Sequence, residues 1–289
     1  MTAALEEILA CPVCGTALAL STDDDGGVLH CAQGHRFDAA RQGYFNLLTG
    51  KGTSLQPDTA SMVQARIDFL SRGHYDALVE AVCAAAQEHS APDPVILDAG
   101  AGTGFYLAAL RNRLPSSTGI AIDISKYALR RATALLPGMP CLVWDVWRRL
   151  PLQDGSVDVI LNIFAPRNPG EFHRVLGETG TLIVVTPLAA HLSEVAEVAG
   201  LLEIQPDKHD AVAAGLAGTF QELGSSTVEF SMRLSSEDIA DVAGMGPAGH
   251  HRPRPDPRVL PTDVLVTGAF TVQAFRPLAA DRVRILPNG

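Results

Sequence analysis

Residues 95–106 read V-I-L-D-A-G-A-G-T-G-F-Y: an apolar run ends in Asp98 and gives way to glycines at 100, 102 and 104. A short apolar run closed by spaced glycines predicts a buried strand that turns sharply into a helix, here FYLAALRNRL. Glycines allow the tight turn and let a ligand approach bare backbone. Turn chemistry alone also explains such a loop. The next apolar run, GIAID, ends in Asp123, about twenty residues on, where a carboxylate at a strand end can accept both hydroxyls of a ribose. Together they predict a nucleoside-bearing cofactor at the carboxyl edge of a sheet.

The alternation continues outward. KYALRRATALL predicts a helix, and CLVWD, VDVILNIF and GTLIVVTP predict strands. Repeated β–α units imply an α/β fold, a Rossmann-like doubly wound parallel sheet with right-handed crossovers. Upstream, Thr59 or Ser61 can cap a helix carrying Met62, Phe69 and Leu70 that stops at Gly73, and Leu78, Val79, Val82 and Ala86 mark a second. Beyond about residue 190 the pattern is less regular. STVEFSMRL, VLVTGAF and TVQAFRPL predict three strands, with antiparallel pairing at one sheet edge. No internal repeat is visible.

A second chemistry occupies the N-terminus. Cys11 and Cys14 lie in CPVCG, and Cys31 and His35 in CAQGH, with 16 residues between the pairs. Two tight ligand pairs joined by a hairpin-sized loop can converge on a tetrahedral structural Zn²⁺. A redox Cys-x-x-Cys is the alternative. Residues 1–48 predict short strands and turns around that metal, with Asp23-Asp24-Asp25-Gly26-Gly27 as a hairpin tip and Val28-Leu29-His30 as a strand. Residues 49–58, TGKGTSLQPD, have linker composition, and residues 59–289 form the α/β domain. The remaining thiols, Cys83 and Cys141, fall in regular elements and are expected in the core.

At 289 residues the chain suits one large or two unequal domains. No run of about eighteen apolar residues occurs, so no membrane-spanning helix is expected. MTAALEEILACP lacks the basic and apolar regions of a secretory signal, and the cysteine usage suits a cytoplasmic protein. The net charge of −10 argues against a protein wrapped along nucleic acid. Residues 1–58 hold three Lys+Arg against seven Asp+Glu, so neither the N-terminal segment nor the remainder is basic.

The loop spacing is G-x-G-x-G behind an acidic residue, whereas dinucleotide folds carry G-x-G-x-x-G. DAGAGTG therefore resembles motif I of class I S-adenosylmethionine-dependent methyltransferases, with a nicotinamide dehydrogenase as the lesser reading. In that family the leading acidic residue, here Asp98, holds the amino-acid end of the cofactor, and Gly100, Gly102 and Gly104 pass beneath it. VWDVWRRLPLQDGSVDVIL resembles the segment in which an Asp after the third strand, here Asp145, approaches the adenine. Without the resemblance, Asp145 reads equally as a turn or cap residue.

Nearly the whole chain resembles one family, the RlmA-type 23S ribosomal RNA guanine-N1 methyltransferases. The shared marks are C-x2-C…C-x3-H, F-D-x-A-x-x-G-Y-x-N-L-L (37–48), M-x-x-A-R…F-L…G-H-Y (62–75), DAGAGTG, DISK (123–126), N-x-F-A-P (162–166) and TP…HL (186–192). The R-N-P after F-A-P looks closest to the actinobacterial, tylosin-resistance (TlrB-like) branch. The resemblance implies Zn²⁺ on Cys11, Cys14, Cys31 and His35. It also implies S-adenosylmethionine contacts from Tyr75, Gly102, Thr103 and His191, a large-subunit RNA hairpin or subunit precursor as partner, and a homodimer. Read without it, Tyr75 is an ordinary helix-start aromatic and His191 a cap or loop residue.

Two departures stand out. The linker keeps only Lys51 where relatives carry several basic residues, and MGPAGHH (245–251) lacks a tryptophan expected there. Asn162 and Phe164, at the end of the fourth strand, are the candidates for positioning a target base, Asn162 by orienting its edge and Phe164 by stacking. Phe164 also reads as a core residue, and no general base is legible. The main alternative is a small-molecule methyltransferase whose zinc knuckle is only structural, and a non-catalytic binding module is the third.

Overall fold

The computed structural model describes every residue except 1, 24–25, 50–52, 54, 203–207, 251, 280–282 and 284–289. The middle of the expected hairpin tip, Lys51 and His251 therefore lie outside the described residues. The N-terminal part contains α1 (Thr2–Ile8), a three-stranded antiparallel sheet of β1 (Ala19–Asp23), β2 (Gly26–His30) and β3 (Arg36–Asp38), and the two-residue strand β4 (Phe45–Asn46). The helices α2 (Ala60–Ser71) and α3 (Asp76–Glu88) follow. Thr59 caps α2 by accepting the Met62 N–H, and Gly73 leaves it in the left-handed region at φ 79°.

The α/β unit runs β5 (Val95–Ala99), α4 (Phe105–Arg113), β6 (Thr118–Asp123), α5 (Lys126–Leu135), β7 (Cys141–Val143), β8 (Val157–Ile163), α6 (Pro169–Val175) and β9 (Leu176–Pro187). Then come α7 (Ala196–Ala199), α8 (Lys208–Leu216), β10 (Phe220–Leu234), α9 (Ser236–Met245) and β11 (Val264–Pro277). The strands form one sheet in the order β10-β11-β9-β8-β5-β6-β7-β4. The inner strands are parallel, whereas β11 runs antiparallel to β9 and β10. The chain order reverses beside β5, which opens a crevice at the carboxyl ends of β5, β6 and β8.

Both faces of the parallel strands are apolar, and side chains alternate between two layers. Ile96, Ala121, Val143 and Val159 join α3, α4 and α5 on one face. Leu97, Ile120, Leu142 and Ile160 face the other. There the cover comes from Phe172 and Val175 of α6 and from Leu5, Ile8, Leu9, Leu18 and Leu29 of the N-terminal part. Residues 144–156, which join β7 to β8, contain no helix, so the ribbon fills that layer. Backbone bonds fix the joint: the Ala10 N–H donates to Pro151 O, the Gln153 N–H to Ile8 O, and Leu9 bridges to Leu152. At the sheet edge, Phe45 and Asn46 pair in parallel with Leu142 and Val143.

Several expectations change. VLVTGAF and TVQAFRPL are not two strands but the single β11, unbroken between Phe270 and Thr271. Gly268 lies opposite Phe230, and a Cβ there would meet the Phe230 ring at 2.6 Å, so the glycine makes room for a cross-strand aromatic. CLVWD supplies only Cys141–Val143, because the chain bends at Asp145, whose carboxylate accepts the Trp147 N–H. Helices α1, α7, α8 and α9 appear where only strands, turns or irregular chain were expected. Cys83 and Cys141 are buried in the apolar core, as expected.

If the ribbon is a cover rather than an appendage, the joint carries stability. Leu152 is fully buried against it. Leu152→Ala should cost about 2–5 kcal/mol, read as a lowered urea midpoint with zinc held constant. A loss under about 1 kcal/mol, below the usual range for a buried leucine, contradicts this packing.

Candidate functional site

The N-terminal quartet converges. The donor atoms of Cys11, Cys14, Cys31 and His35 all lie within 4.8 Å of one another. Cys14 Sγ is 3.7 Å from Cys31 Sγ, and His35 Nδ1 is 3.4 Å from Cys31 Sγ and 3.6 Å from Cys11 Sγ. A tetrahedron built on Zn–S bonds of about 2.3 Å has sulfur–sulfur edges of about 3.8 Å, so the donor set fits Zn²⁺. Each ligand pair sits on a turn completed by a left-handed glycine, Gly15 at φ 76° and Gly34 at φ 83°. Their N–H groups donate to Cys11 O and Cys31 O. Burial opposes ionisation of Cys31, but the His35 backbone and ring override it and hold the thiol at about 6.

The second site is the crevice at the strand ends. Gly100 and Ala101 donate their N–H groups to Ile122 O, which pins the glycine loop to β6. Gly100 has φ 89°, and a Cβ there would stand 2.4 Å from that of Ala165. Glycine is therefore required both by conformation and by space. Thr103 is buried within the loop, and Gly104 N-caps α4 at φ 78°. Asp123 accepts the Gly102 N–H at 2.8 Å on one oxygen and the Ser125 N–H at 2.7 Å on the other. Its carboxylate is thus fixed in orientation, with lone pairs left to accept hydroxyl groups. Burial raises its pKa, and those two N–H groups pull it back.

Asp98 is 2 % exposed, and among the described residues its Oδ2 has no hydrogen-bond partner. Burial, with the Asp123 charge adding, pushes its pKa up to about 8. A buried, unpartnered carboxyl beside a glycine loop fits the ammonium of an amino-acid moiety. Asp145 holds the far end of the crevice, where Thr53 donates to its Oδ2 at 2.9 Å. Beside it a cavity of about 530 Å³ is lined by Asn46, Leu48, Thr53, Leu55, Ile124 and Val143, among others. Residues that follow the zinc ligands thus wall a groove at the carboxyl ends of β6 and β7.

Tyr75 and His191 form a separate pair, Oη to Nε2 at 3.1 Å, packed on the Phe270 ring. Burial lowers His191 to about 4, so the ring is neutral at pH 7. Its Nδ1 accepts the Ala269 N–H at 3.4 Å. That assigns the proton to Nε2 and leaves the Tyr75 hydroxyl hydrogen free to donate elsewhere.

Comparison with known proteins decides what these two sites belong to. Residues 9–51 match the family model described as RlmA, N-terminal, a zinc ribbon, and residues 96–182 match a methyltransferase domain. The chain is 42% identical over 288 residues to a Micromonospora griseorubida protein assigned as a 23S rRNA (guanine-N(1)-)-methyltransferase, covering 93% of this chain and 97% of the relative. It is 40% identical over 280 residues to the 23S rRNA (guanine(748)-N(1))-methyltransferase of Streptomyces fradiae, with the same coverage of 93% and 97%. The chain belongs to the RlmA-type 23S rRNA (guanine-N1)-methyltransferase family. A chain from the Haloferax volcanii complex of the Trm112 activator with a methyltransferase shares the fold, with a TM-score of 0.53 at 15% identity, covering 78% of this chain and 100% of that one. The cofactors of the present protein are S-adenosylmethionine and Zn²⁺, for which the crevice and the quartet have the fitting groups. No described helix is long and apolar enough to cross a membrane.

Placed in this family fold, the two base-positioning candidates differ. Asn162 is fully buried, and its amide donates to Pro166 O at 2.8 Å and Ala99 O at 3.3 Å. It braces the 163–167 loop against the glycine loop instead of offering its amide to a base edge. Phe164 is 46 % exposed, in the left-handed region at φ 55°, with its ring 5.5 Å from Phe270. It is not a core residue, and a strained, exposed aromatic at a strand end is the sort of outlier that functional sites retain.

Sequence reasoning passed over three groups. Arg66, quoted only as part of M-x-x-A-R, pairs with Asp58 at 2.5 Å, and its Nη1 lies 3.5 Å from where a Gly102 Cβ would stand. The Tyr106 hydroxyl is buried, without a partner among the described residues, and feels the charges of Asp98 and Arg66. Thr53 reaches Asp145 from the predicted linker. Only the tyrosine directly after G-T-G-F carried a positional signal.

The raised Asp98 pKa has a definite sign. A carboxyl whose native pKa exceeds its ordinary 3.8 contributes stability while protonated, and that contribution is lost as pH rises through about 8. The cofactor-free protein should therefore lose thermal stability between about pH 4 and pH 8, while S-adenosylmethionine binds more tightly over the same window. Asp98→Asn should flatten both profiles in calorimetry. Profiles unchanged by Asp98→Asn contradict the assignment.

Proposed function

We propose that this protein transfers the methyl group of S-adenosylmethionine to N1 of a guanine in a 23S rRNA hairpin. The observation that carries the reading is continuity: Asn46 and Leu48, which follow the zinc ligands, line the groove beside Asp145. A ribbon that grips RNA would thereby hold its substrate over the methyl-transfer crevice. The 40% and 42% identical relatives named for guanine-N1 methylation support the same target. We assign residues 1–48 to RNA capture, 49–58 to a linker and 59–289 to methyl transfer.

The bound cofactor supplies a methyl group already made electrophilic by its sulfonium sulfur. The protein's task is to align the nucleophile with that methyl and keep water away. Asp98 takes the ammonium, and Tyr75 and His191 also contact the cofactor. Gly100, Gly102, Thr103 and Gly104 give the backbone cradle, Asp123 accepts the ribose hydroxyls, and Asp145 borders the adenine. Phe164 stacks on the extruded guanine, an interaction worth about 1–3 kcal/mol per base. Asn162 acts indirectly, by holding the loop that presents Phe164.

The reading extends to a cytoplasmic enzyme acting on rRNA or a subunit precursor. It also extends to a homodimer whose two ribbons share one cleft, and to macrolide resistance of the tylosin type. The acidic net charge of −10 favours the competing small-molecule methyltransferase.

Incubation with labelled S-adenosylmethionine and either naked 23S rRNA or large subunits separates the two. We expect label in the RNA and a primer-extension stop at one guanine. Unlabelled RNA alongside a labelled small metabolite contradicts the proposal.

A further inference from the structure

Arg167 stands out among the charged groups near the crevice. It is half-buried on the loop between β8 and α6, and burial lowers its pKa below the ordinary arginine value. Among the described residues no carboxylate pairs with it, and its polar contact is Asn162 Oδ1 at 3.5 Å. Arg66, Arg72 and Arg174 each have an aspartate or glutamate. Desolvating a cation without a counter-charge is costly, so a guanidinium left in this state is set for an electron-rich partner that arrives later.

Its position says where that partner sits. Asn162, which Arg167 contacts, also bonds Ala99 O, immediately before the glycine loop. Ala165 packs where a Gly100 Cβ would clash, and Asn168 donates to Val146 O at 3.0 Å. Arg167 is thus held between the glycine loop and the Asp145–Val146 bend, three residues beyond the exposed Phe164.

We propose that Arg167 is a catalytic residue that donates hydrogen bonds to O6 of the target guanine. This rests on the guanine-N1 reading above. N1 of neutral guanine carries a proton and has no free in-plane electron pair. Once that proton passes to solvent, the negative charge is shared between N1 and O6. A guanidinium on O6 stabilises the anion. The N1 pair then forms the bond to the methyl carbon as the carbon–sulfur bond breaks, and the electrons of that bond remain on sulfur. Proton loss and methyl gain leave the base neutral. Arg167 thereby does part of the work of the general base that the sequence does not offer.

The test uses the full-length, zinc-loaded protein and an RNA carrying guanine or 2-aminopurine, which lacks O6, at the mapped position. Wild type should bind the guanine RNA roughly tenfold or more tightly than its analogue, as expected for a hydrogen bond to a charged group. Arg167→Ala should bind both equally and lose about 10²–10³ in kcat, with S-adenosylmethionine affinity and circular dichroism unchanged. Added guanidinium ion should restore part of that activity, and Arg167→Lys should keep part of the preference for O6. An Arg167→Ala protein that keeps either the O6 preference or the wild-type kcat overturns the proposal. So does a loss of activity that guanidinium does not relieve. A wild-type protein that methylates no guanine N1 removes the underlying reading as well, a result seen before any variant is made.

Discussion

A parallel sheet has to be covered on both faces, and that requirement organises this molecule. The link from β7 to β8 carries no helix, leaving Leu97, Ile120 and Leu142 in need of a partner layer. The N-terminal ribbon supplies it through Leu5, Ile8, Leu9, Leu18 and Leu29. A ribbon of this size has too little core to hold itself together, and four ligands on one metal provide what its own packing lacks. Metal, ribbon and sheet edge are therefore one mechanical unit. Through Phe45 and Asn46, paired with β7, the unit reaches the wall of the groove beside Asp145.

The crevice itself departs from what stability alone would choose. Among the described residues Asp98 is buried without a partner, Tyr106 keeps an unpaired hydroxyl, Phe164 holds a left-handed backbone and Arg167 lacks a carboxylate. Each is unfavourable in isolation, and they surround one glycine loop. Such local violations are tolerated where the surrounding frame is stiff, here the loop's bonds to Ile122 O and the Asn162 brace.

What could be read in the sequence was chemistry carried by spacing. D-A-G-A-G-T-G fixed the turn after β5, because φ near 89° at Gly100 and contact with Ala165 leave no alternative residue. Cys11, Cys14, Cys31 and His35 announced a metal because turn geometry sets ligand spacing. Long-range packing was not legible in the same way. VLVTGAF and TVQAFRPL read as two strands although β11 runs on through Phe270 and Thr271, and α9 was hidden because its buried Asp238 and Asp241 are paired with Arg72, far off in sequence. Asn162 was expected to orient a base edge, but its amide is taken by two carbonyls whose approach no local pattern encodes.

The claim that the zinc ribbon is the missing cover of the sheet can be tested by hydrogen exchange on the full chain, with zinc bound and after chelation. If the ribbon is that cover, chelation should raise exchange in β6 and β7, at Ile120 to Asp123 and Leu142 to Val143, as well as within residues 9–38. Exchange confined to residues 9–38, with β6 and β7 as protected as before, would contradict it.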